Sequence, residues 1–241
     1  MKLRTRAKRF VSPIYRSVVR PYLPVAAPVR YAGVPVSIDR KRGDVLLERF
    51  FGPFKSQDIP QYEFGLVTAL RQNVRGGDRV VIVGGGFGVT VAVAALASAP
   101  AGTVICFEGG AEQVANVRET AIRNGVAERV TVLHAVVGPA AKVYGAATGA
   151  TRVAPEDLPE CDLLELDCEG AEVAILTGMT IRPPIILVET HGLYGAPTAA
   201  TRDLLRSNGY EVSDLGVAEP RVASFCERSD VRVLCGRLSP P

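Results

Sequence analysis

A chain of 241 residues with 47% apolar side chains can bury one substantial core, which excludes a wholly disordered polypeptide. The net charge of +3 conceals an uneven spread: residues 1–42 hold eleven of the 28 Lys/Arg and one of the 25 acids, Asp39. The remainder is therefore acidic, with 17 basic and 24 acidic residues, which argues against a nucleic-acid partner and leaves a basic arm suited to an anionic partner or membrane surface.

In chain order, Ser12-Pro13 has the form of a helix start, with Ser as cap and Pro in the first turn. Phe10, Ile14 and Val18 follow at spacing four, Arg16 and Arg20 fall off that stripe, and Pro21 ends it. A short basic amphipathic helix of this kind can lie on an anionic bilayer, or pack on its own domain. Pro21, Pro24, Pro28 and Pro35 predict an extended linker over residues 21–42, and the compact domain is expected over 43–241. Residues 60–75 predict a lead-in helix closed by Gly76-Gly77.

Strands and helices then alternate. Strands are predicted at Arg79–Val83, Thr103–Phe107, Arg129–His134, Asp162–Leu166 and Ile185–Glu189. Helices are predicted at Gly88–Ser98, Ala111–Asn124, Glu169–Gly178 and Pro197–Asn208. Tyr210–Ser213, Arg221–Cys226 and Val231–Cys235 read as short late strands, and residues 138–160 lack periodicity. The fold class is therefore α/β, a mainly parallel sheet with helices on both faces. No apolar run reaches bilayer length, and the basic N-terminus lacks the apolar core of a signal peptide, so the expected compartment is the cytoplasm. The five cysteines, Cys106, Cys161, Cys168, Cys226 and Cys235, have no two-residue spacing of a zinc or redox site and read as buried thiols.

Three segments place glycines or carboxylates straight after an apolar run: VVIVGGGFG at 80–88, VICFEGG at 104–110 and LLELDCEGAE at 163–172. The carboxyl ends of parallel strands are where an open α/β sheet binds its ligand. Gly84, Gly85, Gly86 and Gly88 allow close backbone approach, and the helix after them offers free N–H groups. Alone, this loop fits a flavin or nicotinamide domain as well as a methyltransferase, although Val89 stands where a dinucleotide loop usually has Gly or Ala. Glu108, 24 residues after Gly84, can accept hydrogen bonds from both hydroxyls of a ribose.

The third segment separates these readings. Asp167-Cys168-Glu169-Gly170-Ala171-Glu172 resembles the Asp-x-Glu-Gly-Ala-Glu hallmark of the FkbM-like methyltransferases at every fixed position. The Gly77-Asp78 lead-in and Val188-Glu189-Thr190-His191 agree, so the resemblance covers about residues 60–192. It implies a Rossmann-like class I methyltransferase fold with a seven-stranded sheet, S-adenosyl-L-methionine as donor, and a hydroxyl of a small molecule, sugar or lipid-linked glycan as acceptor. It further implies that Gly84, Gly86 and Gly88 cradle the methionine part, Glu108 the ribose, and that Ala135 and Val136, beside His134, lie near the adenine. Ile82 departs from the pattern, because an acid commonly stands there; Glu63 is a candidate substitute.

For chemistry the candidates are Asp167, Glu189 and His191. His191 has the better intrinsic pKa for a general base, and Asp167 would position acceptor or donor. Glu169 and Glu172 also suit a helix start through the dipole alone. The carboxylate–imidazole set can hold Mg²⁺ or Zn²⁺, but no metal is assigned. A flavin- or nicotinamide-dependent oxidoreductase and a non-catalytic binding protein on the same scaffold are the alternatives. Acceptor identity and oligomeric state leave no mark in the sequence.

Overall fold

The structure, a computed structural model, describes residues 15–51, 57–139 and 149–238. β1 (Val25–Tyr31) and β2 (Val34–Lys41) form an antiparallel hairpin, followed by α1 (Arg42–Phe51) and α2 (Phe64–Asn73). Then come β3 (Arg79–Val83), α3 (Val89–Ala97), β4 (Thr103–Glu108), α4 (Ala111–Arg123), β5 (Val130–Val137) and β6 (Thr151–Val153). The second half supplies β7 (Leu163–Leu166), α5 (Glu172–Gly178), β8 (Ile185–Glu189), α6 (Thr198–Ser207), β9 (Tyr210–Val217), α7 (Ala223–Ser229) and β10 (Arg232–Leu238).

Eight strands join one sheet in the order β6-β5-β4-β3-β7-β8-β10-β9. The strands from β3 to β8 pair in parallel, and β10 runs antiparallel to both β8 and β9. Seven of these make the expected sheet, and β6 is a three-residue addition at its edge. Strand order reverses direction on either side of β3, so the crevice between β3 and β7 is the topological switch point where open α/β sheets bind ligands.

Alternation along β3 sends Val80 and Ile82 to one face and Val81 and Val83 to the other. The first face is covered by α2, α3, α4 and the hairpin, the second by α5 and α6. Ile82 is fully buried in the first core, so the departure noted in the sequence is filled by packing. Glu165 occupies an interior position of β7, fully buried, with the Thr90 side chain of α3 as a polar neighbour. Burial first, and then the charge of Asp167, push its carboxyl up to about 8, so it is neutral at pH 7.

Residues 21–42, read from their prolines as a linker, instead contain the β1–β2 hairpin. Its two-residue turn, Ala32-Gly33, has positive φ at both positions, the geometry that matches strand twist. Pro28 and Pro35 are tolerated because a two-stranded ribbon consists of edges. Val29, Tyr31, Val34 and Val36 bury into the first core. Residues 221–226, expected as a strand, open instead with a helical turn at Pro220 and enter α7. Burial of Cys226 and Ser229, with Phe225 exposed, follows the helical period. Of the expected N-terminal helix, Tyr15–Val19 is a helical turn, while Phe10, Ser12, Pro13 and Ile14 lie outside the described residues. No helix among the described residues is long and apolar enough to cross a membrane.

Candidate active site

Three parallel strands end side by side, and their loops close on one another. Gly84 N–H donates to the carbonyl of Phe107, and Asp167 N–H to that of Val83. Gly84 adopts φ 101°, and a Cβ there would overlap the carbonyl oxygen of Asp167, so only glycine lets the first and third loops touch. Gly88 (φ 78°) abuts Val117 of α4 in the same way.

Glu108 holds the glycine loop. Its Oε2 accepts from Gly85 N–H (2.8 Å) and Gly86 N–H (3.0 Å), and its Oε1 from Gly110 N–H (2.7 Å). The expected ribose contact would use the lone pairs these bonds leave. The loop amides that a phosphate would need are thus already engaged by a carboxylate.

These loops enclose a chamber of about 520 Å³. Gly84, Gly86, Glu108, Ala135, Val136, Asp167 and Glu189 line it, together with Glu63, Tyr62 and Phe87. Gly85 stays behind the loop, where a Cβ would meet Cys106 and Val117. Gly88 supports the loop without lining the chamber. The β-carbon missing from Gly86 would face Glu63 Oε1 and the Tyr62 hydroxyl across the space. His134 turns aside and bonds the Gly109 carbonyl at 3.1 Å.

Among the described residues six carboxylates line this chamber, Glu63, Glu108, Asp167, Glu169, Glu189 and Glu219, and no Lys or Arg does. Burial, then mutual repulsion, raises Glu63 and Glu189 well above the carboxylate range. Burial lifts Asp167 to about 7 even though His191 pulls it down. Glu63 (φ 45°) and Glu169 (φ 56°) are non-glycine residues in the left-handed region, a strain that native structures keep mainly where a site requires it.

His191 is buried beyond Asp167 and Glu189, outside the lining of this chamber. Its Nδ1 bonds Glu172 Oε1 at 2.8 Å, and its Nε2 faces Asp167 Oδ1 at 3.5 Å and Glu189 Oε1 at 3.7 Å. Burial alone would lower His191, but the Glu172 hydrogen bond and the neighbouring carboxylates outweigh it and raise the imidazole to about 9. Glu172 is itself fully buried and also accepts from Cys168 N–H and Gly170 N–H, fixing the loop before α5. Its Glu-Gly-Ala-Glu segment was visible in sequence; its grip on His191, 19 residues away, was not. Asp167, Glu189 and His191 each present one ligand atom within 4.8 Å of the others, a set able to take a divalent cation. Sequence reasoning missed Phe87, which sits inside the glycine motif but was not read as lining, and Tyr62 and Glu219, whose chamber positions depend on loops without a motif.

A second chamber of about 230 Å³ adjoins the first and shares Glu169, Glu189 and Glu219 with it. His191, Leu193, Tyr194, Val222 and Phe225 complete much of its wall.

No family model matches the chain, and no curated protein does. Solved structures do resemble it. Precorrin-6y C5,15-methyltransferase from Geobacter metallireducens is 15% identical over 74% of this chain and 89% of that one, with a TM-score of 0.52. A possible exported protein from Bordetella parapertussis is 12% identical over 74% and 67%, with a TM-score of 0.50. The O-methyltransferase TomG from Streptomyces achromogenes, solved with S-adenosylmethionine, is 15% identical over 82% and 88%, with a TM-score of 0.46. At such identities the likeness establishes the fold: a Rossmann-like sheet of the class I methyltransferase type.

Proposed function

We propose that the protein is an S-adenosyl-L-methionine-dependent methyltransferase that methylates a hydroxyl, of the FkbM-like kind. The observation that carries this is the chamber at the switch point, walled by six carboxylates and by a glycine loop whose amides at Gly85 and Gly86 already serve Glu108. Such a wall suits a ligand bearing sulfonium and ammonium charges. It does not suit the pyrophosphate of a flavin or nicotinamide dinucleotide, which among the described lining residues would meet carboxylates and no Lys or Arg.

The residues fit the donor. Gly84 and Gly86 would admit its methionine part, Glu108 its ribose, and Ala135 and Val136 its base. Glu63, opposite Gly86, would supply the acid that Ile82 cannot. When bound, the donor supplies an electrophilic methyl group, which passes to an acceptor oxygen while sulfur keeps the C–S electron pair. His191 takes the acceptor's proton at Nε2, the nitrogen left available once Glu172 holds Nδ1. Asp167 and Glu189 flank that nitrogen and orient the hydroxyl. The cytoplasm, and a membrane surface met through the basic N-terminus, fit this reading as its setting.

Thermal unfolding with S-adenosylhomocysteine, NAD and FAD in parallel tests it. At about 100 times Kd a ligand stabilises by about 2.7 kcal/mol, which for this size is on the order of 5–10 °C. A shift with the homocysteine compound alone, diminished in Glu108→Ala, is the expected result. A shift only with NAD or FAD would overturn the proposal.

A further inference from the structure

The second chamber has a character unlike the first. Its wall away from the shared carboxylates is mostly apolar: Leu193 and Tyr194 after β8, Ala218 and Val222 after β9, Phe225 of α7, and Val231, with Cys226 and Ser229 of α7 between them. Leu193 and Phe225 are 66% and 55% exposed, and Tyr194 is 38% exposed. Three large apolar side chains thus stand in water around one mouth, the pattern of a surface that meets an apolar ligand. The charged groups of the lining are Glu169, Glu189 and Glu219, with His191 at the inner end. No Lys or Arg lines it among the described residues, and Arg221, the nearest cation in sequence, is paired with Glu219 at 3.0 Å.

We propose that this chamber binds the acceptor, and that the acceptor is a neutral aryl alcohol, not a phosphorylated or otherwise anionic sugar. This rests on the methyl-transfer reading and narrows it. A flat apolar body is held between Phe225, Leu193 and Tyr194, so that its hydroxyl reaches the wall shared with the donor chamber. There Glu189 and His191 face the acceptor oxygen. Tyr194 lies 6.1 Å from the His191 ring with the planes 17° apart, so the inner end presents aromatic surfaces of nearly one orientation. An anion would face three carboxylates, and the His191 imidazolium at the inner end is already matched by Glu172, Asp167 and Glu189, while a polyhydroxyl sugar would leave most of its hydroxyls against apolar wall.

Calorimetry on the full chain at pH 7 would compare 2-naphthol, the anion 2-naphthoate on the same ring system and methyl glucoside, each with and without S-adenosylhomocysteine. Naphthol should bind at least about tenfold more tightly than either competitor. Phe225→Ala and Leu193→Ser should each weaken naphthol by about three- to tenfold, as expected for losing roughly half of a buried apolar side chain. Neither substitution should change the thermal shift given by S-adenosylhomocysteine. Equal or tighter binding of naphthoate or glucoside, or naphthol binding untouched by both substitutions, would overturn the assignment while leaving the donor reading standing. Selective naphthol binding without any response to S-adenosylhomocysteine would support the chamber and sink the donor reading instead.

Discussion

Glu172 sets the proton affinity of the imidazole proposed as the base. Its hydrogen bond to Nδ1 and its charge are two of the causes that carry His191 to about 9 against burial. Two consequences run in opposite directions as pH rises. A folded pKa above the unfolded value of about 6.5 gives stability that is complete below that value and is lost as pH rises through about 9. A base must be neutral to accept a proton, so turnover should climb over the same interval. Glu172→Gln keeps the shape and one acceptor oxygen but removes the charge. It should move the His191 titration down toward 6.5 and carry the rising limb of the pH–rate profile with it. The imidazole resonances of the two histidines, told apart with His134→Gln, measure the first effect, and a pH–rate profile measures the second. An unmoved titration would refute the electrostatic account. A moved titration with an unmoved profile would remove His191 as the base.

At the scale of elements, the hairpin matters most to the site. Tyr31 of β1 stacks on Tyr62 at 4.7 Å and meets Phe87 edge-on at 5.4 Å, and those two rings line the first chamber. β2 is tied to α4 by Ser37 Oγ to Asn116, by Ser37 N–H to Thr120, and by the Arg123–Asp39 pair at 2.8 Å. Thr120 in turn donates to the carbonyl of Phe87 in the glycine loop. Tyr31→Ala should therefore cost about 3–5 kcal/mol of stability and lower Tm by on the order of 10 °C. It should also weaken S-adenosylhomocysteine when binding is measured well below the new Tm. Full affinity in a destabilised variant would make the hairpin a prop for the fold alone. Sequence patterning could not announce this. The parallel strands were legible because unbroken β-branched runs alternate with periodic helices, and the three loops because glycine and carboxylate follow each run directly. In and just before the hairpin, four prolines in 15 residues masked the alternation of Val29, Tyr31, Val34 and Val36. α7 was lost for a related reason: its seven residues are too few to display a period. The site shows the same limit, since Asp167, Glu189 and His191 could be named from local motifs. Glu63, Tyr62 and Glu219 come together only through the folded loops.

At the scale of the whole molecule, charge and apolar exposure concentrate at the N-terminal end. Arg20 reaches Asp44 of α1 at 3.0 Å, and Tyr15 O–H donates to the same carboxylate at 2.8 Å. Burial would raise Asp44, but Arg20, Lys41 N–H and Tyr15 together hold it below the usual range. Around this anchor Val18, Val19, Tyr22, Val25, Val45 and Leu46 are exposed, Tyr22 at 87% and Leu46 at 62%. Apolar side chains beside a segment with eleven Lys/Arg are the two signals that together hold a protein on an anionic bilayer. Full-length protein should therefore co-sediment with vesicles containing phosphatidylserine, and much less with neutral phosphatidylcholine. Tyr22→Ser with Leu46→Ser should reduce binding about tenfold without changing the response to S-adenosylhomocysteine, because neither residue lines a chamber. Raising salt from 0.1 to 0.5 M should weaken binding further by screening the basic residues. Equal sedimentation with both lipids, or a double variant that binds as the parent does, would assign these residues to something other than a membrane. Acid supplies an independent check on the anchor. A depressed Asp44 pKa contributes stability above about pH 4 and loses it as pH falls through the folded value. Asp44→Asn should mimic that loss at neutral pH. If the pair holds the apolar face in place, the variant should release vesicles as well; if it still binds them fully, the arm engages lipid without the body's help.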